Sequence, residues 1–284
     1  MNRRQQRAIP SAWNLPMVRW KKVINTPLSR LTGYHLAKSP RRGRTVTVQP
    51  STPRRVAPQR EFPADFDEDY RAIIAAVRPY TMTGIHKLHA LISATKYVHD
   101  HAIPGDLVEC GVWRGGSMHA VARVLDAAGD HSRDLYLFDT FEGMPPPTDK
   151  DRRLDGRSAE KLLAAREKSA NVWAFATLED VKAGFETVPY PAERIHFVPG
   201  RVEDTVPERA PAQISLLRLD TDWYQSTRHE LDHLYERLVS GGVLIIDDYG
   251  WWQGSRDATE EFLRETGERL LLVRAGTGRI AVKP

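Results

Sequence analysis

The sequence predicts an α/β fold, an open and mainly parallel sheet with helices on both faces. Three observations lead there. Short apolar runs of strand length recur from residue 107 onward, helical patterns alternate with them, and turn-forming or acidic residues bound each run. Strands buried on both faces read as near-continuous apolar runs, and their alternation with helices implies parallel crossovers.

In chain order, a helix is expected to begin near Asp67 and a second to span Ile85–Asp100. The expected strands are Leu107–Val112, Leu135–Thr140, Ile195–Pro199, Ile214–Thr221, Val243–Asp247, Leu270–Val273 and Arg279–Val282. Further helices are expected at Ser117–Ala128, Ala159–Lys168, Glu179–Glu186, Ser226–Leu238 and Arg256–Glu265. Ligands of such sheets bind beyond the carboxyl ends of the strands. The residues after each strand are therefore the candidates for chemistry, and here they are unusually polar.

Composition sets the outer limits. With 284 residues, 41% of them apolar and 27% charged, the chain can bury a sizeable core. A single cysteine, Cys110, excludes an internal disulfide framework and suits a reducing, cytoplasmic setting. No apolar run approaches the roughly 18 residues of a membrane span, and arginines and prolines break any secretory signal pattern at the N-terminus. The net charge of +4 conceals a division. Residues 1–60 hold fourteen Lys/Arg, seven Pro and no Asp/Glu, whereas the remainder holds 27 basic and 37 acidic residues. This reads as a basic, Pro-rich arm (1–60) on an acidic domain (61–284), not as a nucleic-acid binder. Within the arm, Trp20, Val23, Ile24, Leu28 and Leu31 recur at near-helical spacing. Such a segment offers a peripheral contact with an anionic membrane or a protein partner, and packing on its own domain is the plainer alternative.

The first strand leads into a loop, Glu109-Cys110-Gly111-Val112-Trp113-Arg114-Gly115-Gly116-Ser117. Its glycines let the backbone turn sharply and approach a ligand beside a helix N-terminus. The dinucleotide pattern GxGxxG is absent. A strand-ending acid followed by such a loop instead resembles the first motif of class I methyltransferases, where it holds the amino-acid end of the cofactor. A plain tight turn is the alternative for the loop alone. Asp139 ends the second strand, where an acid can accept hydrogen bonds from both ribose hydroxyls. Capping the Thr140–Gly143 turn is its alternative role.

The fourth strand ends in Leu219-Asp220-Thr221-Asp222-Trp223-Tyr224 and the fifth in Asp247-Asp248-Tyr249-Gly250. Four carboxylates at adjacent strand ends repel one another unless a positive charge neutralises them. Magnesium, a hard cation that prefers oxygen ligands, would do so. Helix capping, or pairing with Arg218, Arg228 or Arg256, is the alternative for any one acid. No His/Cys cluster has zinc spacing. A metal here would lower the pKa of a substrate hydroxyl, and an uncommitted carboxylate could take its proton.

At these residues the stretch Arg78–Pro284 resembles the macrocin O-methyltransferase family, whose members methylate sugar hydroxyls on antibiotics and related glycosides. The matching blocks are Arg78–Thr83, Glu109–Ser117, Phe138–Pro145, Gly200–Thr205, Leu219–Tyr224, Ile246–Gly254 and Gly278–Pro284. Nothing before about residue 60 matches. The resemblance implies a class I methyltransferase, Rossmann-like fold of seven strands with an antiparallel last strand. It also implies S-adenosylmethionine as cofactor and Mg²⁺ as metal. By position it puts Asp220, Asp247 and Asp248 on the metal ligands and Asp222 on the general base. Glu109, Gly111 and Ser117 fall in the cofactor loop and Asp139 on the ribose-binding acid. Thr83 falls in the Tyr80–Thr83 cover over the cofactor, and Arg201 and Val202 fall near the adenine pocket.

The expected reaction is methyl transfer to a hydroxyl of a small-molecule sugar or glycoside, by a homo-oligomer with no nucleic-acid partner. The segment Glu142–Trp173, rich in Pro, Asp and Arg, resembles a substrate lid, with an ordinary surface insertion as the alternative. Trp251, Trp252 and Gln253 are expected to wall a sugar ring, with core packing as the alternative. Two other activities compete. One is O-methylation of a catechol or polyketide hydroxyl. The other is glycosyl transfer, in which Asp220-Thr221-Asp222 serves as a DxD metal site, and the upstream glycine loop argues against it.

Overall fold

The computed structural model describes residues 62–166 and 171–284. The basic arm, with its amphipathic segment, lies outside them, as does the end of the expected Ala159–Lys168 helix.

Seven strands form one sheet: β1 (Asp106–Cys110), β2 (Leu135–Asp139), β3 (Ile195–Pro199), β4 (Ile214–Leu219), β5 (Leu238–Ile246), β6 (Val273–Ala275) and β7 (Gly278–Val282). Their order is β3-β2-β1-β4-β5-β7-β6. The first five are parallel, and β7 runs antiparallel between β5 and β6. The α-helices are α1 (Glu68–Val77), α2 (Ile85–Asp100), α3 (Gly116–Ala127), α4 (Ala159–Ala164), α5 (Leu178–Phe185), α6 (Val202–Thr205), α7 (Tyr224–Leu234) and α8 (Gln253–Thr266). The expected class I architecture, antiparallel last strand included, is present. Among the described residues no helix is long and apolar enough to cross a membrane.

Alternation along each strand feeds two cores. Leu107, Leu135, Leu137 and Leu216 pack on one face with Leu91 and Val98 of α2 and Met118, Val121 and Leu125 of α3. Val108, Phe138, Leu217 and Leu244 pack on the other with Leu231 and Leu234 of α7 and Phe262 of α8. Successive residues of a strand point to opposite faces, so an unbroken apolar run serves both cores. Each such side chain contributes about 1.5–3 kcal/mol on full burial. Helix α2 shows the matching helical logic: Leu88, Leu91, Ile92, Thr95 and Val98 are buried at three- and four-residue spacings.

Three of the differences from expectation have a visible local cause. Strand β5 starts at Leu238, not Val243, because Gly241 takes φ +80° within the strand and donates its N–H to Lys283 O at 2.8 Å. A Ser-Gly-Gly sequence that reads as a turn is thereby absorbed as an irregular strand segment. Strand β6 is Val273–Ala275, not Leu270–Val273, because the pairing Ala275↔Gly278 closes a two-residue hairpin at Gly276-Thr277 and fixes the register. Leu271, which suggested the earlier start, is 82% exposed. Helix α6 is a single turn, too short to produce a periodic pattern.

The chain runs outward from β1 through β2 to β3, then returns to place β4 on the other side of β1. The crevice between the ends of β1 and β4 is therefore the switch point at which such sheets bind ligands.

Candidate active site

At that crevice, β1 and β4 pair up to Cys110↔Leu219, and Asp220 N donates to Cys110 O at 2.8 Å. Gly111 turns away at φ +85°, and a Cβ there would overlap the Asp220 carbonyl oxygen. Only glycine fits, so the loop after β1 and the first acid after β4 are packed as one unit. Gly115, at φ +84°, then starts α3.

A cleft of about 890 Å³ opens over these strand ends. That is near the top of the roughly 300–1,000 Å³ range for small-molecule sites, which gives room for a cofactor and an acceptor together. Thr83, Gly111, Asp139, Arg201 and Val202 line it, as do Asp220, Asp222, Asp247 and Asp248. Glu109 and Ser117 do not line it and are buried behind the wall. Glu109 forms a buried ion pair with Arg218.

Of the two roles that the sequence left open to Asp139, the turn cap is present. Its Oδ1 accepts the Phe141 N–H at 2.8 Å and so caps the turn. Its Oδ2 accepts the N–H groups of Val112 at 2.6 Å and Trp113 at 3.0 Å, which fixes the glycine loop. The carboxylate still borders the cleft, and each oxygen retains acceptor capacity for a ribose hydroxyl.

Asp220, Asp247 and Asp248 each bring a carboxylate oxygen within 4.8 Å of the other two. This is an all-oxygen donor set suited to a hard divalent cation, and it fits magnesium. Two protein cations already offset part of the crowding. Arg218 Nη2 contacts Asp220 Oδ2 at 2.8 Å and Asp247 Oδ1 at 2.7 Å, and the Lys87 ammonium pairs with Asp247 Oδ2. Of the cationic partners proposed from sequence, Arg218 is thus correct, while Arg228 and Arg256 pair with acids on the helices α7 and α8. Charge repulsion alone therefore does not demand a metal, and the case for one rests on the convergence of the three oxygens. Against the burial that raises it, Arg218 and Lys87 hold Asp247 below the ordinary carboxylate range. Burial pushes Asp220 and Asp248 well above that range.

Asp222 stands at φ +65°, a left-handed conformation that Asp tolerates better than most residues. Its N–H donates to Asp248 Oδ2 at 3.2 Å. Burial, and then the charge of Asp220, raises its pKa to about 7.

The Glu142–Trp173 segment is tied down beside these acids, as far as it is described. Asp151, buried, accepts from Thr148 N at 2.6 Å and from Tyr224 N at 2.8 Å. Gln253 N donates to Arg152 O at 2.7 Å, and Trp223 Nε1 donates to Pro145 O at 3.0 Å. Trp252 is 5% exposed and packs edge-on against Trp223 at 5.0 Å, in a small core with Ala159 and Leu163 of α4. It packs that segment against the sheet and also borders the cleft. Trp251, 43% exposed, borders the cleft with the Arg153 guanidinium 3.9 Å over its ring.

Lys87 and Asp151 were not singled out from sequence. Lys87 had a signal: it shares the buried stripe of α2 with Leu91 and Ala94, where a lone lysine needs a buried anion. Asp151 had none, because its partners Thr148 and Tyr224 are brought to it by a loop conformation.

Residues 28–270 match the macrocin O-methyltransferase (TylF) family. The chain belongs to this family. The match begins at residue 28, so it reaches well into the segment that the sequence reading had placed outside the resemblance, and it ends before Gly278–Pro284. This O-methyltransferase is 36% identical over 183 residues to the 8-demethyl-8-(2,3-dimethoxy-α-L-rhamnosyl)-tetracenomycin-C 4′-O-methyltransferase of Streptomyces olivaceus, covering 64% of this chain and 67% of that one. It is 32% identical over 182 residues to the mycinamicin III 3″-O-methyltransferase of Micromonospora griseorubida, covering 64% and 68%. The solved structure of the O-methyltransferase NovP superimposes with a TM-score of 0.64 at 30% identity, over 72% of this chain and 82% of NovP. Family and fold together make the protein an S-adenosylmethionine-dependent O-methyltransferase.

Proposed function

We propose that this O-methyltransferase methylates a hydroxyl of a sugar or glycoside, with Mg²⁺ held by Asp220, Asp247 and Asp248 and with Asp222 as general base. The observation that carries the reading is the meeting of three carboxylate oxygens, with a fourth carboxylate beside them, on the floor of one cleft. The sugar acceptor is supported by relatives named for methylating glycosylated compounds.

S-adenosylmethionine supplies an electrophilic methyl group, and magnesium, when bound, supplies positive charge that lowers the pKa of the acceptor hydroxyl. The chain's residues do the rest. Thr83, Gly111, Asp139, Arg201 and Val202 form the wall for the cofactor, with Asp139 offering its free acceptor capacity to the ribose. Arg218 and Lys87 hold Asp247 ionised and in place. Asp222, with its pKa raised to about 7, would take the hydroxyl proton as the oxygen bonds to the methyl carbon and the carbon–sulfur bond breaks, leaving S-adenosylhomocysteine. No covalent enzyme intermediate is needed, and alignment at a near-attack distance of roughly 3–3.5 Å supplies much of the rate. The lid limits access of water to the cleft.

The test is a mass-spectrometric methyl-transfer assay with rhamnosyl glycosides, nucleotide-linked sugars and catechols. The expected result is one added methyl on a sugar hydroxyl, abolished by EDTA and restored by Mg²⁺. Turnover indifferent to EDTA would remove the metal, and methylation of catechols alone would move the enzyme to the rival acceptor class.

A further inference from the structure

One buried carboxyl beneath the cleft takes no part in the chemistry above. Glu230 is fully buried on the inner stripe of α7, with Thr227, Leu231 and Leu234. A helix packs such a stripe on the core, and an apolar side chain would serve there without desolvating a charge. Burial pushes the Glu230 carboxyl well above the usual range, which favours its neutral form. Its Oε1 accepts the Thr221 hydroxyl at 2.9 Å, while Oε2 has no hydrogen-bond partner among the described residues. A half-satisfied carboxyl in a core is a poor choice for stability. What it provides is a single hydrogen bond, and that bond ends between two acids of the cleft.

Thr221 joins Asp220 of the carboxylate triad to Asp222. Asp222 holds a left-handed φ of +65°, and such a conformation persists in a residue other than glycine when its surroundings fix it. The backbone of this turn is anchored on both sides. Asp220 N donates to Cys110 O at 2.8 Å, Trp223 N to Thr221 O at 2.7 Å, and Asp222 N to Asp248 Oδ2 at 3.2 Å. Among the described residues, the Thr221 hydroxyl has one partner, Glu230. Side chains on a helix lean toward its N-terminus, so Glu230 reaches back to the turn that precedes α7.

Resting on the metal and base assignments above, we propose that Glu230 is a positioning residue, whose bond to Thr221 sets the turn that aims Asp220 at the metal and Asp222 at the acceptor hydroxyl. It acts through shape and not through charge. An amide at this position can therefore replace the acid, whereas a side chain with no acceptor oxygen cannot.

Isothermal titration of Mg²⁺ into the S-adenosylhomocysteine-loaded protein tests this, with the metal alone as probe. Thr221→Val and Glu230→Met each delete the bond and should weaken Mg²⁺ binding roughly tenfold. The double variant should bind no more weakly than either single one, because both remove the same bond. Glu230→Gln, whose amide oxygen still accepts the Thr221 hydroxyl, should recover most of the wild-type affinity. S-adenosylhomocysteine affinity should hold in every variant. A loss in Glu230→Gln equal to that in Glu230→Met would mean that Glu230 acts as a negative charge near the metal, and would overturn the proposal. So would unchanged Mg²⁺ binding in Thr221→Val, or losses that add in the double variant. If Glu230→Met does not fold, Thr221→Val against Thr221→Ser, which keeps the hydroxyl, carries the same test. Asp247→Asn is the control. If it abolishes Mg²⁺ binding while Thr221→Val leaves binding intact, the positioning role falls and the metal assignment stands. If Mg²⁺ binds Asp247→Asn as it binds the wild type, the metal assignment falls and this inference with it.

Discussion

Arg218 contacts Asp220 and Asp247 through Nη2, at 2.8 and 2.7 Å, while its Nη1 pairs with Glu109. One buried guanidinium thus fixes acids from the ends of β4 and β5 and from within β1. Its Nη2 also donates to Thr83 Oγ1 at 3.1 Å, which ties the segment before α2 to the same point. Removal of one partner from a buried ionic cluster leaves the others desolvated and unpaired. Arg218→Met should therefore destabilise the fold by about 3–5 kcal/mol in denaturant titration. Adding Glu109→Gln should recover part of that loss, since one stranded charge disappears. A loss below about 1 kcal/mol would show that water replaces the guanidinium.

Asp222 makes no contact with Arg218 or Lys87 among those described, so its proton affinity is set by burial and by its neighbours. Asp222→Asn keeps the shape and removes the basic oxygen. Turnover should fall by about 10²–10⁴-fold, with S-adenosylhomocysteine affinity unchanged in a binding titration. Wild-type turnover in the variant would move the base elsewhere.

The sheet was legible because strands buried on both faces leave unbroken apolar runs, and Leu107-Val108 or Leu216-Leu217 could be read as strand without knowing which core each residue feeds. Asp220, Asp222, Asp247 and Asp248 were legible because they follow those strands directly, so chain order alone puts them at one rim. The Glu109 pairing was not legible: Glu109 lies inside β1, and its partner Arg218 comes from a strand distant in sequence. Trp252 stayed open between a ligand wall and core packing, because its burial depends on α4, which arrives from a segment distant in sequence. Pattern reports periodicity along one element. It does not report which loop later covers it.

Asp151 joins the lid to the N-terminus of α7. Asp151→Ala would leave the Tyr224 and Thr148 N–H groups without their acceptor, at a cost of about 1–3 kcal/mol each where they stay buried. The lid should then open more often. Acceptor KM should rise severalfold, proteolysis within residues 142–166 should quicken, and cofactor affinity should hold. Unchanged proteolysis would show that the Arg152–Gln253 and Trp223–Pro145 hydrogen bonds suffice to hold the lid.

His119 gives the fold an acid-sensitive point away from the cleft. It is buried in α3 between Tyr80 and Phe185, at ring distances of 4.7 and 4.2 Å, and neither ring nitrogen has a hydrogen-bond partner. Burial, assisted by the charge of Arg123, lowers its pKa from 6.5 to about 4. Above pH 6.5 the ring is neutral in both folded and unfolded chains, and its contribution to stability is fully present. Between 6.5 and 4 the unfolded chain binds a proton that the folded one refuses, so stability falls as pH falls. The loss attributable to His119 approaches about 3 kcal/mol by the lower limit of that window. His119→Leu, similar in volume and without a titrating group, should flatten the fall in melting temperature between pH 6.5 and 4 whatever it does to stability at pH 7. Parallel wild-type and variant curves across that window would assign the acid sensitivity to other groups.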